Sequence, residues 1–317
     1  MDKKNKLTNK EKFDKKINST ASKIEIIEKK IEISLGRINK LNIKKAELQK
    51  NLHYFILKNA ENARLNDNNI KITAISDTHG STPLLHNLIE PKSDLLLICG
   101  DISPCTGSHH PIRQLNWFHN TFIPWVENQA NEVVFVAGNH DFFLNKILID
   151  NEEDNFRKYL PKNVHYLRDS MVELYGIKIW GTPWTTIFFD WAFMLNETDL
   201  YKKYNEMPNE VDILLSHGPA YSLSDKILQS NGYDNADKSL GSQSLYKALE
   251  TRKIKNFYYG HIHSADHDIK SITFPSGHVM KYNCVSILDE RYSPTFVPYV
   301  VDNSYALNDK GAKNGML

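Results

Sequence analysis

Apolar and polar positions follow two different rhythms along this chain, and the change falls near Asn66-Asp67-Asn68-Asn69. Before it, a heptad alignment puts Ile17, Ile24, Ile31, Ile38, Lys45 and Leu52 at one position, with Thr20, Ile27, Ser34, Leu41, Leu48 and Phe55 three residues later. Lys and Glu dominate the remaining faces, so residues 1–66 are expected to form a helical arm with a coiled-coil seam, weakened at Thr20, Ser34 and Lys45. One amphipathic helix, or a two-helix hairpin broken near Gly36, would share part of this pattern. The narrow Ile-rich stripe favours self-association through the arm.

After the change, Lys71 to Ser76, Asp94 to Cys99, Val133 to Ala137, Val211 to Leu215 and Asn256 to Tyr259 are short, largely apolar and β-rich, as buried strands are. Helical patterning is expected over Pro83 to Glu90, Ile112 to Asn128, Glu152 to Leu160, Leu195 to Tyr204 and Ser242 to Thr251. Val172 to Tyr175, Ile177 to Trp180 and Val279 to Leu288 are spaced like antiparallel strands of a second sheet. Strand and helix alternate over residues 67–303, which predicts an α/β domain, and the small polar residues 304–317 predict a flexible tail.

Each of the five strands stops where a polar motif begins. The motifs are Asp77-Thr78-His79, Gly100-Asp101, Gly138-Asn139-His140-Asp141, Ser216-His217-Gly218-Pro219 and Gly260-His261-Ile262-His263. They supply Asp77, His79, Asp101, Asn139, His217, His261 and His263, a mixed oxygen and nitrogen donor set that suits first-row divalent metals better than calcium or thiolate-bound zinc. In an open α/β sheet, loops past the carboxyl ends of parallel strands share one crevice, so donors distant in sequence are expected to meet there. A lone D-x-H or G-D is weak, because acids commonly cap turns. Five such motifs in order point to a two-metal centre and to hydrolysis.

Charge narrows the partners. Lys+Arg 39 against Asp+Glu 38 leaves +1, so no overall field draws the chain to nucleic acid or an anionic membrane. Three cysteines, Cys99, Cys105 and Cys284, offer no paired framework, and no stretch reads as a leader or a membrane span, so a reducing cytoplasm is expected. His109 and His110, in a Gly/Ser/Pro loop after the Asp101 strand, could line the mouth of the site but read first as surface-loop residues, and His53, His86, His119, His165, His267 and His278 read as structural or solvated. The aromatic run Trp180, Trp184, Phe188, Phe189, Trp191 and Phe193 reads as core, with Trp184 or Phe188 a candidate to stack on a nucleobase.

The motif set resembles the calcineurin-like metallophosphoesterase superfamily over nearly all of residues 70–303. Gly181-Thr182-Pro183-Trp184, Trp191-Ala192-Phe193, Leu215 to Pro219 and Asn283 to Ser286 are most similar to its metallophosphoesterase-domain branch, some of whose members hydrolyse cyclic nucleotides. The resemblance implies a sandwich of two mixed sheets flanked by helices, following the coiled-coil arm. It also implies one metal held by Asp77, His79, Asp101 and His263, and another by Asp101, Asn139, His217 and His261, with Asp101 bridging. Both are divalent ions of the Mn, Fe, Zn, Ni or Co type, with Mn favoured. It implies a hydroxide between the metals as nucleophile, and His140 as general acid or transition-state donor. Asp141 is expected to orient the His140 imidazole and raise its pKa. The expected activity is a phosphodiesterase on small nucleotides, with a phosphomonoesterase or protein phosphatase, or a scaffold with an idle phosphoesterase domain, as alternatives.

Overall fold

The computed structural model describes residues 70–81, 93–105, 109–227, 238–296 and 298–301, with helical positions scattered between 16 and 44. The expected helix at Pro83 to Glu90, the tail from residue 304, and His53 and His86 lie outside the described residues. Two units divide the chain, Met1–Asp67 and Asn68–Leu317. In the first, described positions are helical, and Ile24, Ile27 and Ile31 are exposed. Among the described residues no helix is long and apolar enough to cross a membrane.

Two large sheets, with a third of only two strands, build the described part of the second unit. In the first sheet, β1 (Ile72–Ile75), β2 (Ser93–Ile98), β3 (Ala130–Phe135) and β4 (Val164–Tyr166) run parallel, and β13 (Tyr299–Val301) pairs antiparallel with β1 at one edge. The second has the order β11-β12-β10-β9-β6-β5, from β5 (Ser170–Leu174), β6 (Ile177–Thr182), β9 (Glu210–Ser216), β10 (Lys253–Tyr259), β11 (Lys270–Thr273) and β12 (Val279–Cys284). Its central strands β6, β9, β10 and β12 are parallel, and its edges β5 and β11 are antiparallel.

Successive side chains of a strand point to opposite faces, and here both faces are covered. Ile72, Ala74, Leu95, Leu97 and Val134 of the first sheet meet Ile179, Ile213, Leu215 and Tyr258 of the second in the layer between the sheets. Ile75, Leu96, Ile98, Val133 and Phe135 face a larger cluster with the helical residues Phe118, Phe122, Phe143 and Phe156. This two-sided burial is why the strands read as continuous apolar runs.

The two mixed sheets implied by the resemblance are present, and the five loops come from both of them: β1, β2 and β3 lie in one sheet and β9 and β10 in the other. The run from Val279 pairs antiparallel with β11 as expected, but it ends as a strand at Cys284 and its other neighbour, β10, is parallel to it. The β5–β6 hairpin is antiparallel as expected, its turn made by Tyr175 and Gly176 at φ 54 and 74.

Helices α1 (Pro111–Trp117) and α2 (Ile123–Val126) flank a π-helical turn, Phe118–Phe122, that puts Phe118 and Phe122 fully in the core. Then come α3 (Phe142–Ile149), which the sequence pattern does not announce, and α4 (Glu153–Tyr159). A short parallel pair, β7 (Thr185–Thr186) and β8 (Met194–Leu195), precedes α5 (Glu197–Asn205) and α6 (Gln243–Thr251). Asn196 and Ser242 cap the last two through their side-chain oxygens.

Candidate metal centre

The carboxyl ends of β1, β2, β3, β9 and β10 point to one place, and backbone hydrogen bonds lace the loops beyond them. Asp77 N–H donates to Gly100 O at 3.0 Å, His79 N–H to Asp101 O at 2.9 Å, and Gly260 N–H to His217 O at 3.0 Å. At the seam between sheets Ser76 bridges Ser286, whose hydroxyl donates to the Asp77 carboxylate. Asp77, His79, Asp101 and His261 all have positive φ, between 42 and 71°. Non-glycine residues are held in this region only where the surroundings over-determine them, as functional loops do.

Two glycines of the motifs are there for contact. A Cβ on Gly138 would stand 2.2 Å from an Asp101 carboxylate oxygen, and one on Gly260 would stand 2.2 Å from an Asp77 oxygen. Any side chain at either position would push a donor out of place.

Asp77, His79, Asp101, Asn139, His217 and His263 come together here, and His261 stands beside His217. Asp101 Oδ2 lies 3.6 Å from His79 Nε2 and 3.5 Å from His217 Nε2. His263 Nε2 is 3.5 Å from Asp77 Oδ1 and 3.2 Å from His79 Nε2, and His217 Nε2 is 2.8 Å from Asn139 Oδ1. The His261 ring stands edge-on to His217 with centroids 5.1 Å apart. Among the described residues, two trios each offer one ligand atom per residue, all within 4.8 Å of one another: Asp77, His79 and His263, and Asp77, Asp101 and His217.

Two of the imidazoles, His217 and His263, are held with Nε2 inward. His217 Nδ1 donates to Cys99 O and His263 Nδ1 to Asp289 O, each at 2.9 Å, the outer hydrogen bond that fixes a metal-ligating tautomer. Ligand atoms about 2.1 Å from a shared ion are about 3–3.4 Å apart, close to the separations found here. Among the described residues the recorded ion-pair partners of Asp77 and Asp101 are all histidines. A buried pair of carboxylates ringed by imidazoles fits divalent cations.

Burial is the first influence on the protonation of these groups. It holds His79 and His217 below the ordinary histidine range, and His261 down to about 3 with help from His217. Burial, then the Asp77 and Asp141 charges, push Asp101 up. For His263 burial acts downward, but the hydrogen bond and charge of Asp77 outweigh it and bring the imidazole to about 9. For Asp77 burial acts upward, and the His263 bond and charge outweigh it, leaving the carboxyl well below its usual range.

This pair carries a pH signature. Because the folded pKa of His263 is raised, its stabilisation is complete below about pH 6.5, the unfolded value, and is lost as pH rises through about 9. Chelator-treated protein is expected to melt lower at pH 8.5 than at pH 6.5, and saturating metal, which displaces the His263 proton, to flatten the difference. Equal melting temperatures of the metal-free protein at the two pH values would remove the pairing.

The surroundings of His140 differ from expectation. Asp141 does not hold its imidazole; the carboxylate accepts from the backbone N–H groups of Gly138 at 2.8 Å, Ser103 at 2.9 Å and Ile102 at 3.4 Å. It ties the Asp101 loop to the Asn139 loop. Nor is His140 raised: burial, then the neighbouring His109 and His217, bring it down to about 3. Its Nδ1 lies 2.7 Å from His109 Nε2, and its Nε2 is 4.0 Å from Asp101 Oδ2. The side chain of Gln114 fastens this turn, donating to His140 O at 2.8 Å and accepting from Phe143 N–H at 3.1 Å.

His109 takes the place at the mouth of the site, the lesser of its two expectations, and lies against His140. Ser286 and Gln114 lie in strand-end and helical segments with no metal-ligand spacing. Tyr292 sets its ring edge-on to His79, with centroids 4.8 Å apart, from a loop about 30 residues beyond His261. In the aromatic run, Trp180, Trp184 and Phe193 are core, and the ring that reaches the site is Trp191, 4.5 Å from His140. His267 stacks on Phe296, and His278 Nε2 accepts from Ile254 N–H, both structural as expected.

Residues 70–265, spanning every one of these strand-end loops, match the sequence profile of the family described as calcineurin-like phosphoesterase. The chain belongs to that family. Among its relatives, human metallophosphoesterase domain-containing protein 1 is 26% identical over 252 residues, 73% of this chain and 70% of the relative. A UPF0046 protein of Caenorhabditis elegans is 29% identical over 217 residues, 61% of this chain, and the match spans about half, 51%, of that relative's length. A solved dimetal phosphatase from Danio rerio aligns with 73% of this chain and 91% of its own at a TM-score of 0.41 and 12% identity. The matched residues include all seven candidate donors and His140.

Proposed function

We propose that the phosphoesterase domain is a dinuclear metal-dependent phosphodiesterase acting on small nucleotides, cyclic nucleotides among them. The observation that carries it is the set of Asp77, His79, Asp101, Asn139, His217, His261 and His263 at the strand ends. Asp77, His79, Asp101 and His263 would hold one cation, and Asp101, Asn139, His217 and His261 the other. The position of Asp101 Oδ2 between His79 and His217 supports it as the bridge.

A bound pair of divalent cations supplies Lewis acidity toward phosphoryl oxygens and lowers the pKa of water at the site. His140 is a hydrogen-bond donor to the departing oxygen. At neutral pH its imidazole is uncharged, and two nearby cations would depress it further, so it acts as a fixed N–H dipole instead of a titrating acid. When His109 Nε2–H donates to His140 Nδ1, the single His140 proton is on Nε2, the atom that faces the centre.

The near-neutral charge, +1 overall, supports a small substrate over a polymer. Metal analysis paired with a panel of cyclic nucleotides, mononucleotides, aryl diesters and short nucleic acids tests the reading. Two manganese-class ions per chain with diester turnover are expected. Preference for monoesters would replace the diesterase by a phosphatase, and no turnover with any metal would leave an idle domain.

Exposed Ile24, Ile27 and Ile31 on the arm support self-association as a second element of the reading. Deleting residues 1–65 is expected to lower the mass in solution and leave hydrolysis in place; an unchanged mass by light scattering would remove the arm from assembly.

A further inference from the structure

Beside the leaving-group side of the centre, the loop between β7 and β8 turns large apolar rings outward. Phe189 is 72% exposed and Phe188 43%, and Trp191 is half-buried. Their rings touch: Phe188 and Phe189 have centroids 4.4 Å apart, and Trp191 lies 5.8 Å from Phe188 and 5.6 Å from Phe189. Trp191 continues the group inward to the His140 ring.

The loop is anchored to the catalytic frame. Ala192 N–H donates to the backbone oxygen of the donor residue Asn139 at 3.1 Å, and Thr185 N–H to Phe193 O at 3.0 Å. Beneath the rings, Trp184 and Phe193 are buried, and Trp184 Nε1–H donates to Asp169 at 2.7 Å. Phe189 and Phe193 have φ of 62 and 50°, a conformation costly for bulky residues and sustained only by such anchoring. Solvent-facing aromatic rings held at fixed distance from a catalytic histidine mark a recognition surface.

We propose that Phe188, Phe189 and Trp191 form a platform for an aromatic or heteroaromatic ring in the alcohol part of the substrate. This deepens the phosphodiesterase reading and rests on it, because it takes the His140 side as the side of departure. The ring packs its face or edge on the platform while the phosphoryl group sits at the donors, so aryl and nucleoside esters are favoured over simple alkyl esters. A docking surface for a second copy would not require attachment to the Asn139 backbone.

The test is direct calorimetric binding of phenylphosphonate and methylphosphonate to the full chain loaded with manganese. Aromatic packing is expected to make phenylphosphonate bind on the order of tenfold tighter. Phe188→Ala and Trp191→Ala are expected to bring the two affinities within about twofold, and Trp191→Phe to restore most of the preference. Melting temperature and metal content of each variant identify any that misfolds, for which Phe189→Ala is the substitute. Equal affinities in the unaltered protein, or a preference untouched by the alanine variants, would overturn the platform. So would a drop in solution mass on Phe188→Ala without change in preference, since the rings would then join copies. Turnover of aryl diesters is measured separately: hydrolysis without ring preference defeats the platform alone, and ring preference without hydrolysis defeats the phosphodiesterase reading.

Discussion

Replacing Asp101 with asparagine is expected to reduce bound metal from two ions per chain to one or none, and to cut turnover by ~10³-fold or more, the equivalent of several kcal/mol of transition-state stabilisation. Asparagine is nearly the same size, and its amide oxygen can still accept from His140 N–H, which now donates to Asp101 Oδ1 at 2.7 Å. The change therefore removes charge with little change of shape. Charge is what the position needs, because one carboxylate oxygen faces both His79 and His217, and a neutral amide offsets neither cation. The burial and nearby Asp77 and Asp141 charges that push the Asp101 carboxyl up are relieved in the variant, so the metal-free protein is expected to be at least as stable. Loss of activity with equal or higher melting temperature is the signature. Full retention of two ions in Asp101→Asn, by elemental analysis, would remove the bridge.

His140→Ala is expected to keep both metals and lose ~10²–10³ in turnover, the range for deleting one preorganised donor at a developing charge. The loss should grow as the leaving group becomes more basic, because in the proposed role the donor serves the departing oxygen; alkoxide esters should suffer more than nitrophenyl esters. His109→Ala, which frees the His140 tautomer, is expected to lose ~10–100-fold, as outer hydrogen-bond partners do. His140 is not expected to set the acidic limb of the rate profile near neutrality, since burial keeps it at about 3. A His140→Ala variant short of metal, or one whose loss is the same for every leaving group, would contradict this role.

Asp141 shows how far adjacency in sequence misleads. Standing next to His140, it invites a His–Asp pairing, yet its carboxylate turns back to three backbone N–H groups. The turn after Asn139 leads into α3, whose N-cap position Asp141 occupies, so its side chain and that of His140 diverge. The true neighbour of His140 Nδ1, His109, lies 31 residues earlier in a loop with no ligand spacing. Trp191 reaches the ring from a loop some 50 residues later, chosen from a run of aromatics that look alike in one dimension.

What the chain determined by itself was chemical and local. Apolar runs that end in Asp, Asn, His and Gly specify buried strands and the donors at their tips, because strand burial and metal affinity are properties of the residues themselves. The seven candidate donors and their location at strand ends were legible for that reason. Which strands share a sheet, which loop covers His140 and which rings stay exposed were decided only by tertiary packing. The two sheets meet through alternate residues of strands buried on both faces, and such strands carry no periodicity to say which face meets which partner. Contacts across a hundred or more residues, such as Ser286 to Asp77, follow from the register between the sheets, which no local pattern encodes.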